Sequence, residues 1–378
     1  MRVVLISNDV TPEMIVPGSA PGLRVSGIAQ GLRAHGIETV VVIPRGRYEQ
    51  VWSEMGTSGL PPVPPGTVVL ARQHFADFLD QERPDATIIC NSNQFDAIDG
   101  AATGHLVYDF FAPKMLEAEC EGATREVLQA LERRKLRALA SADAVIVNGK
   151  KKIDYVAGQL AKCGRDDLRN RMAVVNMCYD WPEKRGVPSR TEGLSVVVSG
   201  HLQRWLNYGT MFDRLVEALE TIPTLSLTLN LLRVSEDHLA ANPTIRKCLG
   251  HPRTRVRGAM LFGDYADMIQ EHDVFLDVFE PTEERKLAMV TRSVTALGLG
   301  VPVIHPGFTE VSPFLKQMSA GWIADITSGG EDLIALLNRL AADPDEVLAK
   351  TEGAQSLSQG AFAPKTATAP LVDMLRAA

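Results

Sequence analysis

The run from Leu287 to His305, LAMVTRSVTALGLGVPVIH, holds a compact set of residues suited to anion chemistry. Val290-Thr291-Arg292-Ser293 offers hydroxyl caps and a guanidinium where a helix is predicted to begin. Val294, Ala296, Leu297 and Leu299 follow near helical spacing, and Gly298 and Gly300 stop the pattern. Val301 to Ile304 then reads as a short buried strand, and His305-Pro306-Gly307 turns out of it. Backbone N–H groups at a helix start, with Arg292 beside them, form an anion site. The same run also fits an ordinary helix–strand step of a parallel sheet, and these residues alone leave both readings open.

Other candidates lie upstream. Asp109 ends the apolar run His105 to Tyr108 and precedes Ala112-Pro113, a place for a general base or a hydroxyl-orienting group. Capping the next helix is its alternative task. Asn91-Ser92-Asn93-Gln94 follows another strand pattern and offers partners to sugar hydroxyls, or caps. The loop Pro17 to Arg24 carries Gly18 and Gly22, which let backbone approach a ligand ahead of a helix. It is not a G-x-G-x-x-G fingerprint, which disfavours dinucleotide binding. Gly149 to Lys152 reads as a solvated charge run or as a phosphate contact.

The elements that must position these groups form two series. Val3–Ile6, Thr39–Ile43, Thr67–Leu70, Ala86–Cys90, His105–Tyr108, Ala144–Asn148 and Ala173–Val175 are strand-like, and a helix is predicted over Leu23 to His35. Strand–loop–helix–strand at this spacing implies a parallel sheet. Val51 to Pro65 reads as a loop or short helix, and Trp181-Pro182, Gly186 and Pro188 mark a linker. A second α/β series restarts at Leu194–Ser199, with further strands expected at Leu225–Leu232, Met260–Gly263 and Val274–Val278. The α/β fold expected is therefore two Rossmann-like domains. Their boundaries are 1–178, a linker at 179–191, 192–358, and a tail at 359–378.

TALGLGVPVI followed by a glycine-containing loop and Glu310 resembles the donor-binding signature of GT-B glycosyltransferases similar to glycosyltransferase family 4. Gly300, Pro302, Val303 and Ile304 match, while the two usual glutamates fall at Leu287 and Thr295, so the chain resembles a divergent branch. PGLRVSGIAQGLRAHGIETVVVIP is similar to that family's first strand–helix–strand unit, and VYDFFAPKMLEAE to its D-x-x-x-P-x-x-L-E segment.

The resemblance implies two Rossmann-like domains facing a cleft, an N-terminal acceptor side, a C-terminal nucleotide-sugar side, and a tail helix crossing back. It implies that Gly18, Gly22 and Arg24 line the cleft. His201 and Arg204 stand at the diphosphate clamp, with Leu206 where a lysine would be. Gly263 and Tyr265 stand at the base-binding edge, and Glu280, Glu283 and Glu284 near the transferred sugar. Lys286, Val290, Thr291, Arg292 and Arg204 would meet the diphosphate, Thr295 the ribose, and Asp109 the acceptor. The implied activity is transfer of a sugar from a nucleotide diphosphate sugar to an acceptor hydroxyl, with retention and without a metal or other cofactor. A glycan, lipid-linked or natural-product acceptor fits that activity. A sugar-nucleotide epimerase and a catalytically silent scaffold of the same fold are the alternatives.

Bulk properties set the remaining bounds. A chain of 378 residues, 45% hydrophobic, can bury two to three domain cores. A net charge of −7 argues against nucleic-acid partners. Five dispersed cysteines without a C-x-x-C suit a reducing compartment. No apolar run spans a bilayer and no cleavable leader is evident, so a cytoplasmic protein with at most peripheral membrane contact is expected.

Overall fold

A computed structural model of the protein describes residues 1–55, 63–183, 193–201, 208–232, 234, 236–324, 326 and 332–378. Most of the expected linker, from residue 184 on, and part of the Val51–Pro65 stretch lie outside the described residues. The chain forms two compact units, Met1–Asp180 with Ala361–Ala378, and Trp181–Gly360.

The first unit holds a seven-stranded sheet in the order β3-β2-β1-β4-β5-β6-β7. Its strands are β1 (Arg2–Ile6), β2 (Glu38–Pro44), β3 (Thr67–Leu70), β4 (Ala86–Cys90), β5 (His105–Phe110), β6 (Ala144–Val147) and β7 (Met172–Val174), all pairing in parallel. Continuous apolar runs such as Val3-Val4-Leu5-Ile6 form these strands because helices cover both faces, so no alternation is needed.

Helix Ala20–Ala34 begins three residues earlier than the apolar spacing indicates. The Ser19 hydroxyl accepts from the Gly22 N–H at 3.2 Å, and Pro21 sits in the first turn, so a side-chain cap fixes the start. A second helix, Arg45–Glu54, begins directly at the end of β2. The final helix, Pro364–Arg376, belongs to this unit and packs on Ala20–Ala34, where Gly31 faces Thr368.

The second unit holds a six-stranded sheet in the order β10-β9-β8-β11-β12-β13. Its strands are β8 (Leu194–His201), β9 (Leu225–Leu232), β10 (Thr254–Arg257), β11 (Val274–Leu276), β12 (Val303–His305) and β13 (Gly321–Ile323), again all parallel. The strand expected at Met260–Gly263 is not formed. Helix Phe262–Gln270 starts there, burying Phe262, Ala266 and Ile269 on one face. The edge position goes instead to β10, whose Arg255, Val256 and Arg257 are exposed, so it lacks the apolar run by which the other strands are recognised. Among the described residues, no helix is long and apolar enough to cross a membrane.

Both sheets reverse their winding at one point, between β1 and β4 in the first unit and between β8 and β11 in the second. Connections leave those neighbouring strands in opposite directions, which opens a crevice at the C-terminal edge where ligands of such sheets gather.

Gly27 shows how closely the first unit is packed. A Cβ there would lie 1.8 Å from the Cys178 carbonyl oxygen, a backbone atom that cannot rotate away. Gly27→Ala is expected to cost about 3 kcal/mol, the upper end of overpacking, against a helix-propensity gain of about 1 kcal/mol. A denaturant melt checks this, and an unchanged midpoint would show that the 175–178 segment is not seated on this helix.

Candidate functional site

In the second unit the switch-point crevice is built around Asp277, the residue after β11. The carboxylate is buried. Its Oδ1 accepts from Arg292 Nε at 2.8 Å and Nη2 at 2.5 Å, and its Oδ2 from the Ser293 hydroxyl at 2.5 Å. Burial by itself would raise the Asp277 carboxyl, but the Arg292 charge and these hydrogen bonds outweigh it and hold it below the usual range. The guanidinium also lies 5.8 Å from the Tyr208 ring centre and 6.0 Å from that of Phe279. Gly200, near the end of β8 with φ +139°, makes room for it, since a Cβ there would come within 2.9 Å of Arg292 Nη1.

Arg292 opens helix Thr291–Gly298, whose N-cap is Val290. No side chain caps this end, in contrast to the hydroxyl cap suggested by the sequence. The hydroxyls are used elsewhere: Ser293 by Asp277, and Thr295 by the Thr291 carbonyl at 2.8 Å. Buried and turned back onto its own helix, Thr295 does not offer the ribose contact that the resemblance implies. The N–H groups of this first turn, uncapped by any side chain, lie beside Arg292 in an arrangement that suits an anion.

A relay supports the pair from behind. Ser293 Oγ faces His305 Nδ1 at 3.3 Å, and His305 Nε2 faces Thr309 Oγ1 at 2.8 Å. Thr309 Oγ1 in turn accepts from the Val311 N–H at 3.1 Å. Burial pushes the His305 imidazole down to about 4, so the ring is neutral at neutral pH. The partners favour the tautomer with the proton on Nδ1, because the Ser293 proton is already committed to Asp277.

The other expected donor-side residues divide. His201 ends β8, half-buried. Tyr265 stacks on Phe262 at 6.4 Å in helix Phe262–Gln270; burial raises its phenol, a rise that a hydrogen bond with Ser199 opposes. Gly263 is exposed in the first turn of that helix. Glu280 lies against Gly209, where a Cβ would fall 2.2 Å from its Oε1. Lys286 is exposed and pairs with Glu283 at 2.7 Å, while Glu284 is buried against Arg285. Arg204 and Leu206 lie outside the described residues.

In the first unit the structure brings Arg24 and Asp109 together. Both carboxylate oxygens accept from Arg24, each at 2.9 Å, and Arg24 Nη1 donates to the Val175 and Asn176 carbonyls at 2.6 and 3.0 Å. The two side chains are 0% and 1% exposed. Sealed and doubly engaged, Asp109 is the ion-pair partner of Arg24, and it caps no helix, since helix Lys114–Cys120 has no side-chain cap. Arg24, 0% exposed, ties helix Ala20–Ala34 to the chain after β7. Gly22 serves close packing, as a Cβ would lie 2.0 Å from the Val10 carbonyl oxygen, and Gly18 is exposed. Lys152 is buried and donates to the Phe111 carbonyl at 3.0 Å, so that part of the lysine run is structural.

No family model matches the chain, and no curated protein matches its sequence. Solved structures do match. Sucrose-phosphate synthase from Thermosynechococcus elongatus is 13% identical with a TM-score of 0.68, covering 100% of this chain and 98% of its own. HepE from Anabaena, solved with UDP and glucose, is 14% identical with a TM-score of 0.68 over 100% of both chains. WaaG, a glycosyltransferase involved in lipopolysaccharide biosynthesis, is 13% identical with a TM-score of 0.63, over 98% of this chain and 99% of its own. At such identities the likeness is one of fold, and it is the GT-B fold expected from the sequence: two Rossmann-like units with parallel sheets.

Two outcomes are expected from these pairs. Asp109→Asn should cost about 3–5 kcal/mol of stability, because it leaves the buried Arg24 charge without its partner. Removal of a mere general base would lower turnover at nearly unchanged stability, so a melt and a rate measured together separate the roles. For His305, the folded ring titrates near 4 and the unfolded ring near 6.5. Between those values the unfolded chain binds a proton that the folded chain refuses, so stability falls as pH drops from about 6.5 towards 4, by roughly 2 kcal/mol at pH 5. His272, also depressed by burial, adds in the same direction. His305→Asn should flatten the pH 7 to 5 slope of the unfolding midpoint; an identical slope would mean the ring is already charged in the fold.

Proposed function

We propose that the protein is a glycosyltransferase that moves a sugar from a nucleotide diphosphate sugar to an acceptor hydroxyl. The observation that carries this reading is Arg292, held by Asp277 at an uncapped helix start on the switch-point edge of the second unit. When the bond from the sugar's anomeric carbon to the phosphate oxygen breaks, the electron pair stays on the diphosphate. N–H donors fixed in advance at that oxygen stabilise the charge as it develops. The acceptor oxygen forms the new bond and loses its proton. Because Asp277 offsets the charge of Arg292, attraction for the diphosphate rests on directed hydrogen bonds and the helix dipole more than on net charge.

The fold supports the reading in kind. HepE was solved with UDP-glucose at a TM-score of 0.67, and AviGT4 is a glycosyltransferase involved in avilamycin A biosynthesis. A putative UDP-N-acetylglucosamine 2-epimerase from Listeria monocytogenes also matches, with a TM-score of 0.56, so epimerisation is kept as the second reading. Retention at the anomeric carbon, with the leaving phosphate assisting on the same face, is part of the proposal, as are a role in glycan or natural-product synthesis, operation without a metal, and a cytoplasmic location. Leu287 and the back-bonded Thr295 stand where glutamates are usual, so the ribose is expected to be held by other groups.

A thermal-shift series with UDP, GDP, dTDP and CMP tests the donor site. A nucleotide at 100 times its dissociation constant is expected to stabilise the protein by about 2.7 kcal/mol, and Arg292→Ala to abolish the shift. No shift with any of the four would sink the transferase reading and favour a silent scaffold. Conversion of a nucleotide sugar without an acceptor would favour the epimerase.

A further inference from the structure

The loops after β1 to β4 border an open cavity of about 450 Å³, wholly within the first unit and across its switch point. Its volume is on the scale of a small-molecule site. Asn8, Arg45, Arg47, Arg72 and Gln94 line it, with Glu49 alongside.

Three features there point to one kind of ligand. Helix Arg45–Glu54 starts at the cavity with Pro44 as its N-cap and no side-chain cap, so the first-turn N–H groups of Gly46 and Arg47, both lining residues, suit an anion. The guanidiniums add charge. Arg47 is held by Asp9 at 2.7 Å, and Arg72 is steadied by donating to the Asn93 carbonyl at 3.0 Å. Arg45 is exposed and has no ion-pair or hydrogen-bond partner among the described residues. With Asp9 offsetting Arg47 and Glu49 offsetting one other arginine, the site keeps a net positive charge. The third feature is the Gln94 carboxamide, in a side chain 8% exposed. Its Nε2 donates to Asn8 Oδ1 at 3.3 Å, while its Oε1 is buried with no hydrogen-bond partner among the described residues. Because Gln94 lines the cavity, a turn of its side chain would give this unmet acceptor a ligand hydroxyl as its donor.

We propose that this cavity binds a sugar bearing a phosphate or carboxylate, the anion on the Arg45 helix start and the Arg45 and Arg72 guanidiniums, a hydroxyl on Gln94 Oε1. That this sugar is the acceptor rests on the transferase reading; the binding itself does not.

Isothermal titration of the full chain with glucose 6-phosphate, glucuronate, glucose and inorganic phosphate tests it, with UDP titrated separately. At least one anionic sugar should bind at least roughly tenfold more tightly than glucose, and inorganic phosphate should bind weakly. The double variant Arg45→Ala/Arg72→Ala should lose roughly tenfold or more in affinity for every anionic probe; both side chains are exposed, so the fold should persist, as a melt verifies. Gln94→Leu should weaken the anionic sugars more than inorganic phosphate. Anionic sugars binding no better than glucose, or equally well to the double variant, would overturn the proposal. UDP binding without sugar-phosphate binding refutes the cavity reading alone. Sugar-phosphate binding without UDP binding keeps the cavity and removes only its role as an acceptor site.

Discussion

A carboxylate taken out of water must find a partner, and in the second unit that need organises the whole site. Asp277 is desolvated at the end of β11, where an unpaired charge would cost several kcal/mol. It recruits Arg292 on one oxygen and Ser293 on the other. Those two residues open one helix, so the carboxylate fixes both the rotation of that helix and the aim of its guanidinium. Gly200 and the rings of Tyr208 and Phe279 fit around the pair, and His305 with Thr309 ties it to the loop after β12. Moving any one of these groups would disturb the first-turn N–H groups on which the proposed phosphate binding depends.

The first unit uses the same device to a different end. Arg24 and Asp109 also form a buried pair, with Asp109 near the end of its strand. There the arginine is 0% exposed and has two backbone carbonyls as further partners; in the second unit Arg292 keeps 14% of its side chain exposed. That difference decides their roles. A guanidinium enclosed by its own chain holds a helix and a strand exit together. One that reaches the crevice edge can still meet a ligand. In the first unit the charge exposed at the sheet's opening lies elsewhere, at the start of helix Arg45–Glu54.

Much of this was legible in the sequence. Apolar runs located most of the strands because both faces of a parallel sheet are buried, and the restart of the α/β series gave two Rossmann-like units. β10 escaped notice because an exposed edge strand needs no apolar run, and its absence moved the expected strand onto the start of a helix. Of the site, Arg292 and its helix start were recognisable from residue types alone. Asp277 was passed over as the tail of a strand; the available signal was an acidic residue within an otherwise apolar run. Arg45 and Arg72 gave no pattern at all, being separate surface arginines until the sheet order places their loops side by side.

By itself the sequence determined what is local: most of the strands and helices, where glycines end them, and that successive strands run parallel. Period, propensity and chain connectivity act over a few residues and can be read without a fold. Only the tertiary structure decided which charges meet. Arg24 and Asp109 are 85 residues apart and Arg292 and Asp277 are 15 apart, and each could have paired with many others. Sheet order and helix packing chose among them, because a buried charge must take the partner that the surrounding chain brings within hydrogen-bonding distance.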